Sequence, residues 1–195
     1  MAGKMVLASA SPRRKELLER LGLNFTTVPA GIEEEKFFDY RPEEMVKELA
    51  RAKAEKISGL VEETIIIAAD TVVVYEERVL GKPGDRQEAR EMLKQIQGDR
   101  HTVMTGLAVL STDREEVYSI CDSTEVYMKK VDVEEIEAYV NTGEPMDKAG
   151  SYGIQGLGGI FVDKIIGSYF TVMGLPVHRL DDLLKKFSVN VLNRN

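Results

Sequence analysis

Met5-Val6-Leu7-Ala8-Ser9-Ala10-Ser11-Pro12-Arg13-Arg14-Lys15 opens the readable pattern of this chain. The apolar run Met5 to Ala8 suits a buried strand. Ser11 is a good N-cap residue, and Pro12 stands at the first helical position, where its missing N–H leaves nothing unpaired. The helix continues to Leu21 and stops at Gly22. A strand feeding a helix through a serine turn begins a mixed α/β fold, and the next segments keep that alternation. Asn24 to Val28 alternates as a strand, Pro42 starts a helix running to Ile57, and Thr64 to Ala69 is an isoleucine-rich buried strand bounded by Asp70.

Further along, Thr71 to Tyr75 and Arg78 to Leu80 flank Glu76-Glu77 as a hairpin, and Gly81 to Gly84 is a loop. Asp85 and Glu88 form a capping pattern for a helix with Ala89, Met92, Leu93 and Ile96 at core spacing, closed by Gly98. Two long strands follow, His101 to Ser111 and Glu116 to Met128, and then a short helix capped by Asp132 and Glu135. Gly143 to Gly159 reads as a long glycine-rich loop, a length that in a compact domain usually serves function. Ile160 to Ile166 resumes as a strand, Pro176 opens a last helix, and Ser188 to Leu192 is expected to add an edge strand. With no repeat or linker, residues 1–195 read as one domain.

The 195 residues are 43% hydrophobic and 30% charged, a balance that excludes disorder over most of the length. A chain of this size buries about 70% of its extended surface on folding. Cys121 cannot form an internal disulfide, and His101 and His178 lie far apart, so a structural zinc site is not expected. Uncharged apolar runs stay below the roughly 18 residues that span a bilayer, and the N-terminal apolar run is short for a signal peptide. A cytoplasmic location without membrane partners is the expectation. The 26 basic and 33 acidic residues give a net charge of −7, which disfavours extended nucleic acid as a partner. A small phosphorylated ligand requires cations gathered locally against that field.

Such cations stand in unusual places. Arg13, Arg14 and Lys15 occupy the first turn of a helix, the end that carries partial positive charge and prefers acids. An anion bound by Ser9 and Ser11 hydroxyls, free helix N–H groups and the guanidinium forks accounts for them; a solvated basic turn is the alternative. Lys53 falls near the centre of the apolar stripe of Val46, Leu49, Ala50 and Ile57. Either it faces a site, or its stem lies on the stripe while the ammonium snorkels to water. Asp70 stands at the carboxyl end of a strand, where α/β sheets collect catalytic groups; Lys82 in its loop either shares that cleft or pairs with Asp70 as a structural ion pair. Glu33-Glu34-Glu35 is either a solvated run or the source of one metal ligand. Together these residues suit metal-assisted hydrolysis of a phosphoanhydride. A P-loop motif is absent.

The block Ala8-Ser9-Ala10-Ser11-Pro12-Arg13-Arg14-Lys15-Glu16-Leu17-Leu18 resembles the opening signature of the Maf family of nucleotide pyrophosphatases. Four further blocks agree in order: Ala69 to Val73, Leu80 to Pro83, Glu144 to Gly156, and Val172 to Pro176. The resemblance implies an elongated α/β fold like that of inosine triphosphate pyrophosphatases, with two lobes around a deep cleft. It implies a Mg²⁺- or Mn²⁺-dependent hydrolase that converts a nucleoside triphosphate to the monophosphate and pyrophosphate and so cleans nucleotide pools. By position, Asp70 is implied as proton acceptor and metal ligand, with Glu34 favoured over Glu33 as the second metal ligand. Arg13, Thr71 and Gln155 are implied as specificity positions, and Ser9, Arg14, Lys53 and Lys82 as further substrate contacts. Thr71 with Gln155 is similar to the dTTP/UTP branch, with CTP or modified pyrimidine nucleotides as further candidates; a glutamine amide can accept from uracil N3–H and donate to a ring carbonyl. The competing expectations are a pyrophosphatase for methylated guanosine triphosphate, and a non-catalytic nucleotide-binding regulator of septum formation. A homodimer is expected by analogy alone.

Overall fold

The isoleucine run forms a strand longer than expected, and the sheet is built around it. The structure, a computed structural model, describes residues 4–192. Its strands are β1 (Lys4–Leu7), β2 (Thr26–Thr27), β3 (Thr64–Tyr75), β4 (Arg78–Leu80), β5 (Arg100–Ser111), β6 (Glu116–Met128) and β7 (Val162–Ile166). Its helices are α1 (Pro12–Arg20), α2 (Pro42–Ser58), α3 (Arg86–Ile96), α4 (Val133–Asn141), α5 (Tyr169–Val172) and α6 (Val177–Lys186). The sheet order is β2-β1-β3-β5-β6-β7, with β4 paired to β3. β1 runs parallel to β2 and β3, whereas β4 is antiparallel to β3 and β7 to β6. This is the mixed α/β class read from the alternation of elements.

The chain divides into two compact units. One holds the residues up to Asp70, Thr105–Asp122 and Gly174 onward; the other holds Thr71–Met104 and Ser123–Met173. In the first, Ala50, Ala54 and Ile57 of α2 pack with Val6, Ala8, Ile66, Ala68, Ala108 and Leu110. Gly106 permits this close packing, since a Cβ there would stand 1.9 Å from the carbonyl oxygen of Val46. In the second, Ala89, Leu93 and Ile96 of α3 and Ile136, Tyr139 and Val140 of α4 share a core with Val103, Val126 and Phe161. The caps are those read from the residues: Asp85 accepts from Glu88 N at 2.8 Å, and Asp132 and Glu135 form both halves of a capping box.

Several elements differ from expectation. The expected break at Asp70 does not occur, and β3 runs through it to Tyr75, with the carboxylate paired to Lys53 of α2. Pairing with β1 ends at Leu7 and Ile67, and pairing with β4 starts at Val73. The strand expected over 24–28 contracts to two exposed residues. The glycine-rich segment is a chain of 3-10 turns, Glu144–Asp147, Ala149–Ser151 and Gly156–Phe161, with left-handed Gly150 inside the second and left-handed Gly156 opening the third. The last of these turns absorbs Ile160 and Phe161, so β7 begins at Val162. No strand forms at 188–192 among the described residues. Ser188 N and Val189 N close back on Lys185 and Leu184 carbonyls, with Ser188 at φ 60°, which turns the chain away from an extended path. No helix among the described residues is long and apolar enough to cross a membrane.

Candidate active site

The first turn of α1 contains no acidic residue, and its two arginines have different surroundings. Arg14 reaches three protein acceptors: Nε donates to Gly174 O at 2.8 Å, and Nη1 donates to Ala69 O at 2.7 Å and to Ser9 Oγ at 3.2 Å. Its guanidinium therefore ties the head of α1 to β3 and to the Gly174-Leu175-Pro176 block. Burial pulls Arg14 below the ordinary arginine value, with Asp70 opposing that effect and Arg13 adding to it. Ser9 is buried, and its hydroxyl also accepts from Ser11 N at 3.2 Å. Ser11 is the N-cap residue by position, but its side chain makes no cap bond. Arg13 is half-buried at the same helix end, and Lys15 lies on the surface, paired with Glu19.

The Lys53 ammonium meets two carboxylates and does not snorkel to open water. Strand side chains alternate, so Asp70 shares a face of β3 with Ile66 and Ala68, the residues packed against Ala50 and Ala54 of α2. Lys53, between those alanines in sequence, donates from Nζ to Asp70 Oδ1 at 2.5 Å and to Glu34 Oε1 at 2.9 Å. The Lys53 and Asp70 side chains are 12% and 13% exposed. The ion-pair partner of Asp70 is thus Lys53, a residue the helical wheel marked without naming its partner. The same geometry separates the glutamates. Glu34 turns to Lys53, whereas Glu33 pairs with Lys36 at 2.6 Å on the open surface, and that hydrogen bond holds its carboxyl below the usual range.

Two carboxylates converging on one ammonium form an all-oxygen donor pair of the kind a hard divalent cation accepts. Among the described residues no group of three or more His, Cys, Asp or Glu could hold a metal alone, so any such ion takes its remaining ligands from substrate and water, the usual arrangement for Mg²⁺.

The remaining expected residues belong to the second unit. Thr71 follows Asp70 on the opposite face of β3 and is half-buried. Lys82 is exposed in the loop after β4, and that loop is tied to the 3-10 segment by Gly150 N donating to Gly81 O at 3.0 Å. Gln155 is half-buried and extended, immediately before the turn Gly156–Phe161. The reading of single residues passed over Glu144, which organises that turn; with Asp147 and Lys148 close by, no local signal set its carboxylate apart.

The profile described as Maf-like protein matches residues 4–187. The chain belongs to the Maf family. Its Maf relatives include the dTTP/UTP pyrophosphatase of Pelotomaculum thermopropionicum, 49% identical over 189 residues that cover 97% of this chain and 99% of that one. The dTTP/UTP pyrophosphatase of Vibrio cholerae is 48% identical over 185 residues, covering 94% and 98%. Among solved structures, the Staphylococcus aureus Ham1 protein matches with a TM-score of 0.50 at 15% identity, covering 95% of this chain and 97% of that one. That last likeness concerns the fold alone, and it places this Maf chain in the expected α/β architecture.

Proposed function

We propose that this Maf protein hydrolyses dTTP and UTP to the nucleoside monophosphate and pyrophosphate. The observation that carries the reading is near-half identity, over almost the full length of both chains, to relatives bearing that activity in their names. The Lys53, Asp70 and Glu34 arrangement supplies chemistry suited to it.

In the proposed reaction a water oxygen attacks the α-phosphorus, the bond from that phosphorus to the α–β bridging oxygen breaks, and pyrophosphate leaves with the bond electrons. Asp70 orients the water and accepts its proton. Lys53 holds that carboxylate in place and presents positive charge to the triphosphate. Arg13 at the head of α1, with the N–H groups of the helix start and Ser9, receives phosphate oxygens, and Lys82 adds a further cation. Arg14 contributes by holding Ser9 and the end of α1 against Ala69 and Gly174. A bound Mg²⁺ or Mn²⁺, held by Asp70 and Glu34, would neutralise charge on the phosphate oxygens. Positioning and charge stabilisation account for most of the rate in such a site. Thr71 and Gln155 select the base, the glutamine amide pairing with uracil or thymine through one acceptor and one donor.

Pyrophosphate release from a panel of nucleoside triphosphates, with and without Mg²⁺ or Mn²⁺, tests this proposal. Metal-dependent release strongest for dTTP and UTP is expected, with Asp70→Asn lowering kcat by about 100-fold or more. An Asp70→Asn protein with near-wild-type turnover refutes the role of Asp70. Release strongest for a purine nucleotide refutes the base assignment, and the absence of release from any triphosphate refutes the activity.

A further inference from the structure

The Glu144 carboxylate makes three hydrogen bonds within the second unit. Oε1 accepts from Tyr139 Oη at 3.0 Å and from Gly158 N at 3.0 Å, and Oε2 accepts from Leu157 N at 3.0 Å. Leu157 and Gly158 are in the first turn of the 3-10 helix that begins one residue after Gln155. Burial alone would raise the Glu144 carboxyl, but the Gly158, Leu157 and Tyr139 donors outweigh it and hold the group below the usual glutamate range.

The segment around Gln155 is pinched as well as clamped. A Cβ at Gly158 would lie 2.5 Å from Tyr139 Oη and 2.7 Å from Gly153 O, and one at Gly159 would lie 2.6 Å from Ile154 O. The two limbs of the segment 153–159 are thus in backbone contact on either side of Gln155. A Cβ at Gly156, which is left-handed at φ 73°, would stand 2.9 Å from Glu144 Oε2. Lys148 supports the other limb: its Nζ donates to Glu144 O at 2.5 Å and to Asp147 Oδ1 at 2.7 Å, while its stem lies under Gly153. Glycine at 153, 156, 158 and 159 is what lets the backbone close this tightly. The carboxylate takes up the two N–H groups that a 3-10 turn leaves unpaired at its start.

We propose that Glu144 is a positioning residue for base selection, its carboxylate fixing the backbone from which Gln155 projects. This rests on the reading of Gln155 as the residue that contacts the base. A side chain that discriminates bases by one donor and one acceptor needs a fixed backbone, because a displacement of about an ångström exchanges a hydrogen bond for an unpaired polar group. Glu144 touches no reacting atom in this scheme. Its loss should raise KM and erode discrimination between bases more than it lowers kcat.

The test compares kcat and KM for UTP, dTTP and CTP in wild type, Glu144→Gln and Tyr139→Phe. Glutamine is nearly isosteric but faces one of the two N–H groups with its own NH₂. Tyr139→Phe leaves the carboxylate on both N–H groups and removes one of its three donors. The expected result is a roughly tenfold fall in the UTP-over-CTP ratio of kcat/KM for Glu144→Gln, chiefly through KM, and a smaller shift in the same direction for Tyr139→Phe. An unchanged ratio with kcat lowered equally for all three nucleotides overturns the proposal and leaves the base assignment intact. A wild-type enzyme without preference among the bases overturns both. If Glu144→Gln does not fold, Tyr139→Phe decides, and an unchanged ratio in that variant overturns the proposal.

Discussion

Replacing Lys53 by Met keeps a stem of similar length and removes the charge that Asp70 and Glu34 share. Two unit charges about 4 Å apart in an effective dielectric of about 20 attract by roughly 4 kcal/mol. Asp70, at 13% exposed, retains most of that value, whereas Glu34, at 52%, is screened by water and contributes little. Removing one partner of a buried pair typically costs about 3–5 kcal/mol, because the other charge stays behind. The expected loss for Lys53→Met is therefore about 3 kcal/mol at neutral pH, seen as a fall of roughly 1–1.5 M in the urea midpoint for an m-value of about 2–3 kcal/mol/M. The decisive measurement is the double-mutant cycle with Asp70→Asn. In wild type Asp70→Asn should destabilise; in the Lys53→Met background it should restore about 1–2 kcal/mol, since it removes the stranded charge. A Lys53→Met midpoint equal to wild type, with Asp70→Asn costing the same in both backgrounds, would show that the ammonium is solvated and that the pair does not exist.

Three further outcomes are expected. Arg14→Lys replaces a fork serving Ala69 O, Gly174 O and Ser9 Oγ with a single ammonium; it should lose about 2 kcal/mol, lowering Tm in a thermal melt by roughly 4–8 °C. His101 is 2% exposed, shares a hydrogen bond between Nε2 and Tyr152 Oη over 2.7 Å, and is driven by burial from 6.5 to about 4. The unfolded chain binds that proton first, so this stabilisation is complete above pH 6.5 and is lost as the pH falls towards 4, a change of about 3 kcal/mol. Urea midpoints across that range should fall steeply in wild type and less in His101→Phe, and parallel slopes would exclude His101 as the cause. Gly106→Ala drives a methyl group into the Val46 carbonyl, which a packed helix cannot yield to; a loss above about 3 kcal/mol, or no soluble folded protein, is expected on expression and melting.

The chain's local signals determined what local physics controls. Caps at Asp85 and Asp132, the serine turn before Pro12 and the spacing along α3 each lie within a few residues, and the structure places those elements as read. Five motif blocks occurring in order along one chain likewise pointed to the family by resemblance. What the pattern could not supply was the partner of each charge. Periodicity placed Lys53 on the apolar face, and only packing of α2 on β3 set its ammonium against Asp70. The residues of the acidic run did not separate Glu33 from Glu34, which only the family resemblance favoured, and it is a turn of the fold that sets Glu34 against Lys53 and Glu33 against Lys36. Arg14 looked like its neighbour Arg13 until Gly174, 160 residues away, supplied its acceptor. Glu144 read as one more loop acid until the glycines after it closed their backbone onto its carboxylate. Hydrophobic spacing encodes which face is buried, but which donor meets which acceptor is settled by segments far apart in sequence coming within hydrogen-bond reach, and that is a property of the tertiary fold.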